Sequence, residues 1–204
     1  MAAFIVFEGI DGSGKSTQAR ALYRRLVSRE FLSILTHEPG GTPLGEALRR
    51  WVKRRQGLYP LTELYLFNAA RAQLVEQVIR PALQKGVTVL ADRYFASTIA
   101  YQSYGRGLDL ELVHHANHGA TGGLSPDLTV FLDVSPEVGR GRKGGRARDN
   151  FDAAPVEFYR KVRQGYLEQA DQAKKRGPEW LVLDGSRARA QLAEEIWAKV
   201  QPLL

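Results

Sequence analysis

The sequence lacks cysteine altogether, and none of its apolar runs approaches the roughly 18 residues that a membrane-spanning helix needs. The absence of cysteine excludes disulfide bonds, thiolate catalysis and cysteine-ligated zinc. The N-terminus also lacks the charged region, apolar run and cleavage site of a secretion signal. We therefore expect a cytoplasmic protein that does not associate with a membrane.

The length and composition are typical of one globular domain. The chain has 204 residues, of which 44% are hydrophobic and 25% are charged. This suits a single large α/β domain over residues 1–204 better than two full domains. Residues 139–150 are rich in glycine and charge, and we interpret them as a flexible loop inserted in that domain.

The positive charge lies in two patches. The net charge of +7 raises the question of nucleic-acid binding. Residues 139–150 contain five basic groups and one acid, residues 49–55 contain five basic groups, and the rest of the chain carries a net charge of −2. Two separate patches suit small polyphosphate ligands at least as well as a duplex, so we expect no nucleic-acid partner.

The N-terminal stretch has the pattern of a phosphate-binding P-loop, because an apolar run, a glycine-rich loop and a helical pattern follow one another. The glycines let backbone N–H groups converge on a phosphate, and Lys15 adds a full charge at the β- and γ-phosphates. The Ser16 hydroxyl can ligate Mg²⁺. The predicted nucleoside triphosphate site consists of Gly9, Ile10, Asp11, Gly12, Ser13, Gly14, Lys15, Ser16 and Thr17.

Five short apolar runs alternate with helical patterns along the chain. The runs are residues 4–7, 31–36, 87–91, 128–134 and 180–183. This alternation predicts an α/β fold of three layers, with a five-stranded parallel sheet covered by helices on both faces. Ligands of such sheets bind beyond the carboxyl ends of the strands, so functional residues should follow the runs.

The apolar helical stretch 61–83 carries two stripes of apolar residues rather than one. Two stripes indicate a second burial partner, either a mobile part of the domain or another subunit. Pro81 should end or kink this helix near Arg80. A separate helix is predicted over 43–53, with proline in its first turn.

A second motif follows the third apolar run. Asp92 stands at a predicted strand end and suits Mg²⁺, directly or through water, while Arg93 offers a planar fork for phosphate oxygens. If residues 95–104 are helical, Ser97 shares a face with Tyr101, and Thr98 shares a face with Gln102. A salt-bridged strand end before an ordinary helix is the alternative. Three histidines (114, 115 and 118) are interpreted as a helix surface rather than a metal site.

With these motifs in place, the sequence resembles the thymidylate kinases, nucleoside monophosphate kinases that make dTDP from dTMP. The shared elements are FEGIDGSGKST (7–17), EPGGTPLG (38–45), LFNAAR (66–71), DRYFASTIAYQ (92–102) and a basic segment before Asp149. The resemblance covers residues 4 to 185 in the family's order. It implies ATP as donor, dTMP as acceptor, Mg²⁺ as cofactor and a homodimer.

The resemblance also implies the residues that bind dTMP. They are Asp11, Glu38, Arg49, Phe67, Arg71, Arg93, Ser97, Thr98, Tyr101 and Gln102. Phe67 matches the ring that stacks on the base, and Asp11 matches the aspartate at the 3′-hydroxyl. Tyr101 matches the ring that disfavours ribose. Arg71 matches the base-reading arginine, and because it has only donors it suits the 4-carbonyl of thymine or uracil and opposes the amino group of cytosine.

The remaining matches concern phosphate binding and catalysis. Arg49 and Arg93 match the clamp on the monophosphate, Glu38 matches an acid near the substrate and its metal, and Ser97, Thr98 and Gln102 match polar contacts near the base. The implied catalytic residues are Lys15, Asp92, Arg93, Arg146 and Arg142.

The source of the transition-state arginine distinguishes two types of thymidylate kinase. The interior of this P-loop, residues 10–13, contains no arginine, so the sequence resembles the bacterial type in which a mobile basic lid supplies it, here at about 139–152. Arg146 falls nearest to the family's lid arginine, and Arg142 is second. Three features depart from the family pattern: Asn150 and His37 replace common arginines, and the lid is about one residue short.

The sequence disfavours two other classes of function. A P-loop kinase for another nucleotide is disfavoured by Phe67, Arg71 and Tyr101. A nucleic-acid-binding or GTPase-like switch protein is disfavoured by the charge distribution and by the absence of the guanine-reading sequence Asn-Lys-x-Asp.

Overall fold

The computed structural model describes residues 2–54, 57–142, 154–176 and 179–204. In that part of the chain the strands are β1 (Phe4–Glu8), β2 (Ser33–His37), β3 (Thr88–Asp92), β4 (Leu128–Asp133) and β5 (Glu179–Asp184). The helices are α1 (Lys15–Ser28), α2 (Pro43–Arg54), α3 (Pro60–Leu74), α4 (Arg80–Gln84), α5 (Phe95–Thr98), α6 (Leu110–Thr121), α7 (Pro136–Arg142), α8 (Val156–Arg176) and α9 (Arg189–Val200). The π-helical segments Val75–Ile79 and Ile99–Gly105 continue α3 and α5, and a 3₁₀ turn, Gln201–Leu203, follows α9.

The five strands form one parallel sheet in the order β2-β3-β1-β4-β5. This confirms the predicted sheet. The central strand β1 lies between β3 and β4, with Phe7 opposite Asp92 and Glu8 opposite Phe131. The carboxyl ends of three neighbouring strands therefore meet at one edge, where the P-loop and the Asp92-Arg93 motif both begin.

Helices cover both faces of the sheet, because alternate residues of β1 enter different hydrophobic clusters. Ile5 and Phe7 pack with α1 and α9 on one face. Phe4 and Val6 pack with the end of α3 and the segment after it on the other face. The continuous apolar sequence of β1 reflects this burial on two sides.

The start of β2 differs from the prediction, which placed Phe31 and Leu32 in the strand. The Phe31 N–H instead bonds the Leu26 carbonyl oxygen at 3.0 Å and closes the turn after α1. Leu32 is 70% exposed, and β2 begins only at Ser33. Apolar character alone does not separate a turn at a sheet edge from the strand that follows it.

The irregularity predicted near Arg80 takes the form of a π-helical turn over Val75–Ile79. Pro81 then occupies the first turn of α4, where its missing N–H leaves no hydrogen bond unmade. Widening of the turn before a proline makes room for the ring, which would clash with a carbonyl of a regular helix.

The loop predicted at 139–150 is only partly comparable with the structure. Residues 139–142 are helical, because α7 runs from Pro136 to Arg142. Gly139 is required there for close packing rather than for flexibility, since a Cβ at this position would lie 2.5 Å from the Asp11 carbonyl oxygen. The rest of the proposed lid, residues 143–152, lies outside the described residues. Among the helices that are described, none has the length and apolar character needed to cross a membrane.

Candidate active site

The P-loop joins β1 to α1 and curls around a cavity of about 480 Å³ at the carboxyl edge of the sheet. Gly9, Gly12 and Gly14 all have positive φ angles, of 143°, 80° and 96°. A Cβ on Gly12 would also lie 2.1 Å from the Gly139 carbonyl oxygen. The cavity is lined by residues 12–18 of the P-loop and α1 and by residues from the ends of β4, α7 and β5, among them Arg142. This is the geometry of a phosphate site at a helix N-terminus.

Lys15 is buried and directed into the P-loop. Its Nζ lies 3.5 Å from the Ile10 carbonyl oxygen and 3.4 Å from Asp11 Oδ1. Burial lowers the pKa of Lys15, and the neighbouring Arg93 lowers it further, whereas Asp11 acts in the opposite direction. Lys15 and Arg93 are two neighbouring cations, and a polyphosphate bound here would provide the negative charge that stabilises both.

Arg93 occupies the turn after β3, with a φ of 79° that is uncommon for a residue other than glycine. Its Nη2 donates to Asp11 Oδ1 at 2.7 Å and to the Tyr101 hydroxyl at 3.2 Å. Its Nη1 donates to Ser97 Oγ at 2.9 Å and to the Tyr166 hydroxyl at 3.1 Å. Ser97 and Tyr101 therefore share a face toward Arg93, as predicted.

Glu8, which the sequence analysis did not assign to the site, lies at the end of β1 and is 0% exposed. Its Oε1 accepts the backbone N–H groups of Tyr94 at 2.9 Å and Ser97 at 3.2 Å. Its Oε2 accepts the Ser97 hydroxyl at 2.6 Å and the Tyr166 hydroxyl at 3.0 Å. Burial raises the pKa of Glu8, and Arg93 opposes that rise. The sequence signal that could have identified Glu8 is an acidic residue at the end of an otherwise apolar strand.

A second arginine, the buried Arg71 on α3, has all five of its N–H donors engaged. The Nε and Nη2 groups reach both carboxylate oxygens of Glu38, with the shortest contact at 2.6 Å. Nη2 also donates to Thr98 Oγ1 at 2.8 Å. Nη1 donates to Asn117 Oδ1 at 2.7 Å and to Asn68 Oδ1 at 3.3 Å. Neither asparagine was predicted as part of the site.

The other residues predicted to bind the acceptor nucleotide do not all contact these two arginines. Phe67 is half-buried on α3, one helical turn before Arg71. Arg49 donates to the Pro39 carbonyl oxygen at 3.0 Å, beside the loop that carries Glu38. Gln102, expected near the base together with Thr98, donates to the buried Glu63 at 2.7 Å, whereas Thr98 accepts from Arg71.

The two candidate lid arginines differ in what the structure shows. Arg142, at the end of α7, donates to the Gly185 carbonyl oxygen at 2.9 Å and to the Gly12 carbonyl oxygen at 3.4 Å. It therefore lies against the P-loop on the side of the nucleotide cavity. Arg146 lies outside the described residues.

The residues predicted to bind Mg²⁺ fit a cation that bridges protein and phosphates. Asp92 Oδ1 is buried and has no hydrogen-bond partner among the described residues. Ser16 lines the cavity at the start of α1. Within the described ranges no cluster of three or more histidine or carboxylate side chains could hold a metal by itself. His114, His115 and His118 are exposed on α6.

A P-loop cavity and two arginines, Arg93 and the buried Arg71, at the carboxyl edge of a five-stranded parallel sheet define a P-loop kinase. The family model for thymidylate kinase matches residues 7–196. A thymidylate kinase from Roseiflexus sp. (strain RS-1) is 46% identical over 219 residues, covering 100% of this chain and 96% of the relative. One from Deinococcus radiodurans is 46% identical over 199 residues, covering 97% and 95%. A crystal structure of thymidylate kinase from Ehrlichia chaffeensis matches with a TM-score of 0.78, at 33% identity and 98% coverage of both chains. The chain belongs to the thymidylate kinase family.

Proposed function

We propose that this chain transfers the γ-phosphoryl group of ATP to dTMP and forms dTDP, with donor and acceptor phosphates meeting between Lys15 and Arg93. One observation carries the proposal. Asp11 Oδ1 lies 3.4 Å from Lys15 Nζ and 2.7 Å from Arg93 Nη2. The cation proposed for the donor site and the cation proposed for the acceptor site thus share a single carboxylate oxygen, and this proximity supports a phosphoryl transfer between them.

The chemical step needs little from the protein beyond alignment and charge. The acceptor phosphate has a second pKa of about 6, so at pH 7 it is largely a dianion and needs no general base. Lys15 holds the donor phosphates, Arg93 and Arg49 hold the acceptor phosphate, and a lid arginine neutralises charge in the transition state. Arg146 remains the first candidate for that arginine and Arg142 the second.

Mg²⁺ would be held by the Ser16 hydroxyl and by Asp92, directly or through water, and when bound it supplies charge neutralisation at the phosphates. The unpartnered Asp92 Oδ1 supports this assignment. The backbone N–H groups of residues 9–17 and the Lys15 ammonium bind the donor nucleotide from the other side.

Base recognition rests on Arg71, which is 2% exposed. A carbonyl at pyrimidine position 4 can take the place of one of the neutral acceptors around the guanidinium, which are Asn68, Thr98 and Asn117. Glu38 meanwhile keeps the guanidinium in its plane. The amino group of cytosine would face a donor instead.

The sugar is recognised through an apolar wall and a carboxylate. Tyr101 is buried and lies against Arg93, where its ring can exclude a ribose 2′-hydroxyl. Asp11 accepts the 3′-hydroxyl. Phe67 stacks on the base from α3, and Ser97, Thr98 and Gln102 contribute polar groups near it.

We further propose a homodimer that forms through the second apolar stripe of α3. Part of the predicted stripe belongs to the core, since Ala70 is buried. Leu61, Tyr65 and Ala69 follow one another at intervals of four residues and are all exposed, which supports a partner at this face. Light scattering at micromolar concentration should give the mass of a dimer, and a monomer would refute the proposal.

We place this activity in the cytoplasm because it consumes ATP and makes a precursor of dTTP.

The test of function is turnover of dTMP with ATP and Mg²⁺ by the wild type and by Lys15→Ala. We expect the variant to fold and to lose phosphoryl transfer, while Lys85→Ala, at an exposed turn, retains it. Near-wild-type turnover by folded Lys15→Ala would show that this loop is not the catalytic P-loop.

A further inference from the structure

We infer that Glu8 and Tyr166 are positioning residues that hold the Arg93 guanidinium in the orientation needed at the acceptor phosphate. The inference rests on the role proposed above for Arg93. Neither residue is expected to touch substrate, because both are fully buried, at 0% exposure, beneath the arginine. Their effect must pass through Arg93.

The hydrogen bonds connect Arg93 to Glu8 through two hydroxyl groups. Arg93 Nη1 can only donate, so Ser97 Oγ and the Tyr166 hydroxyl accept from it, at 2.9 and 3.1 Å. Glu8 Oε2 can accept the proton of either hydroxyl, at 2.6 and 3.0 Å. The two hydroxyl oxygens also lie 2.8 Å apart, so one of them can donate to the other. The Glu8 carboxylate therefore acts on Arg93 through this pair of hydroxyl groups.

Glu8 also fixes the backbone that carries Arg93. Its second oxygen accepts the N–H of Tyr94, the next residue along the chain, and the N–H of Ser97 one turn later. Arg93 itself has a φ of 79°, which costs conformational energy and persists only where surrounding contacts hold it. The Arg93 N–H bonds the Phe7 carbonyl oxygen at 2.9 Å, directly before Glu8 in β1.

The negative charge of Glu8 matters as well as its shape. An amide in its place would present a donor to the Ser97 and Tyr166 hydroxyls where the carboxylate presents an acceptor. In Glu8→Gln the amide oxygen can still accept from the two backbone N–H groups. The NH₂ group then faces the Ser97 and Tyr166 hydroxyls. Only one of their two protons can turn to the other hydroxyl oxygen, so the second would have to turn toward Arg93, which is itself a donor. The fold should survive this change while the orientation of Arg93 does not.

The experiment compares Glu8→Gln and Tyr166→Phe with a matched control, Tyr104→Phe. The Tyr104 hydroxyl also bonds a carboxylate of α8, Glu168 at 2.7 Å, but is remote from Arg93 in the hydrogen-bond network. We expect kcat/KM for dTMP to fall about 100-fold in Glu8→Gln, as for a reacting group misplaced by about 1 Å. We expect a loss of about tenfold in Tyr166→Phe, which removes the hydroxyl that accepts from Arg93 and donates to Glu8 but leaves the path through Ser97. The control should retain wild-type kinetics, and KM for ATP should stay within about twofold in all three.

Each substitution is then repeated in an Arg93→Ala background, or in Arg93→Lys if the alanine variant does not fold. Residues that act through Arg93 should have little further effect once it is gone, whereas a purely structural role predicts the same loss as before. Equal losses in both backgrounds, or wild-type kinetics in Glu8→Gln, would overturn the inference. If Arg93→Ala itself turned over dTMP normally, the proposed role of Arg93 would be at fault instead.

Discussion

Arg71 and Glu38, 33 residues apart in the chain, form an ion pair in the interior, with Nη2 and Oε2 separated by 2.6 Å. The side chains are 2% and 5% exposed. The pair joins α3 to the loop after β2, and it fixes the orientation of the Arg71 guanidinium. Because the pair is buried, replacing either residue should lower the free energy of unfolding.

Replacing Glu38 by Gln should lower the free energy of unfolding by about 3–5 kcal/mol, because the Arg71 charge would remain buried without its partner. The control is Glu194→Gln, which breaks an exposed pair with Arg25. That change should cost no more than about 1 kcal/mol. Urea unfolding of the three proteins measures both, and equal losses would show that the buried pair contributes no more than a surface one.

Replacing Gly12 by Ala should disrupt the P-loop for steric reasons that a control can isolate. Gly12 and Gly57 have nearly the same φ, 80° and 81°, so alanine suffers the same backbone strain at both. Only at Gly12 does the new Cβ meet a backbone atom, the Gly139 carbonyl oxygen at 2.1 Å, whereas nothing lies within 4 Å at Gly57. We expect ATP affinity to fall by about tenfold or more in Gly12→Ala and to stay unchanged in Gly57→Ala. Calorimetric titration with ATP compares them, and equal affinities would mean that α7 and the loop separate easily.

Replacing Arg146 by Ala should lower kcat by about 1000-fold or more with little change in dTMP affinity, as for an arginine finger supplied within the same chain. The reason is the absence of arginine inside the P-loop. Arg142→Ala is the comparison, because Arg142 already contacts the P-loop carbonyl of Gly12. If Arg146→Ala is fully active and Arg142→Ala is not, the role belongs to Arg142.

Replacing Arg71 by Ala should narrow the gap in kcat/KM between dUMP and dCMP more than any other gap between substrates. The variant loses the donor that faces the 4-position of the pyrimidine. Arg80→Ala serves as the control, since Arg80 is an arginine of α4 paired with Glu76 outside the site. The gap should persist in the control, and its persistence in Arg71→Ala would remove Arg71 from base recognition.

Short-range patterns in the sequence predicted the sheet and the P-loop because their spacing is local. The glycine and lysine pattern of residues 9–16 lies within one loop and the first turn of one helix. The five strands are fixed by apolar runs between helical patterns. The predicted placement of Asp92 and Arg93 at a strand end also follows from one short segment.

The supporting residues could not be found in this way. The Glu8 carboxylate contacts residues 86 and 158 positions away, and Asn117 reaches Arg71 across 46 residues. No local period encodes such contacts.

In the proposed kinase site, N–H donors of Arg71 recognise the pyrimidine. The most direct measurement is kcat/KM of the wild type for four monophosphates with ATP and Mg²⁺. Cytosine should be rejected by about 10⁴, a ribose 2′-hydroxyl by about 10² and a missing methyl by about tenfold. We therefore predict that kcat/KM decreases in the order dTMP, dUMP, thymine ribonucleoside monophosphate, dCMP. A value for dCMP above that for dUMP would contradict it.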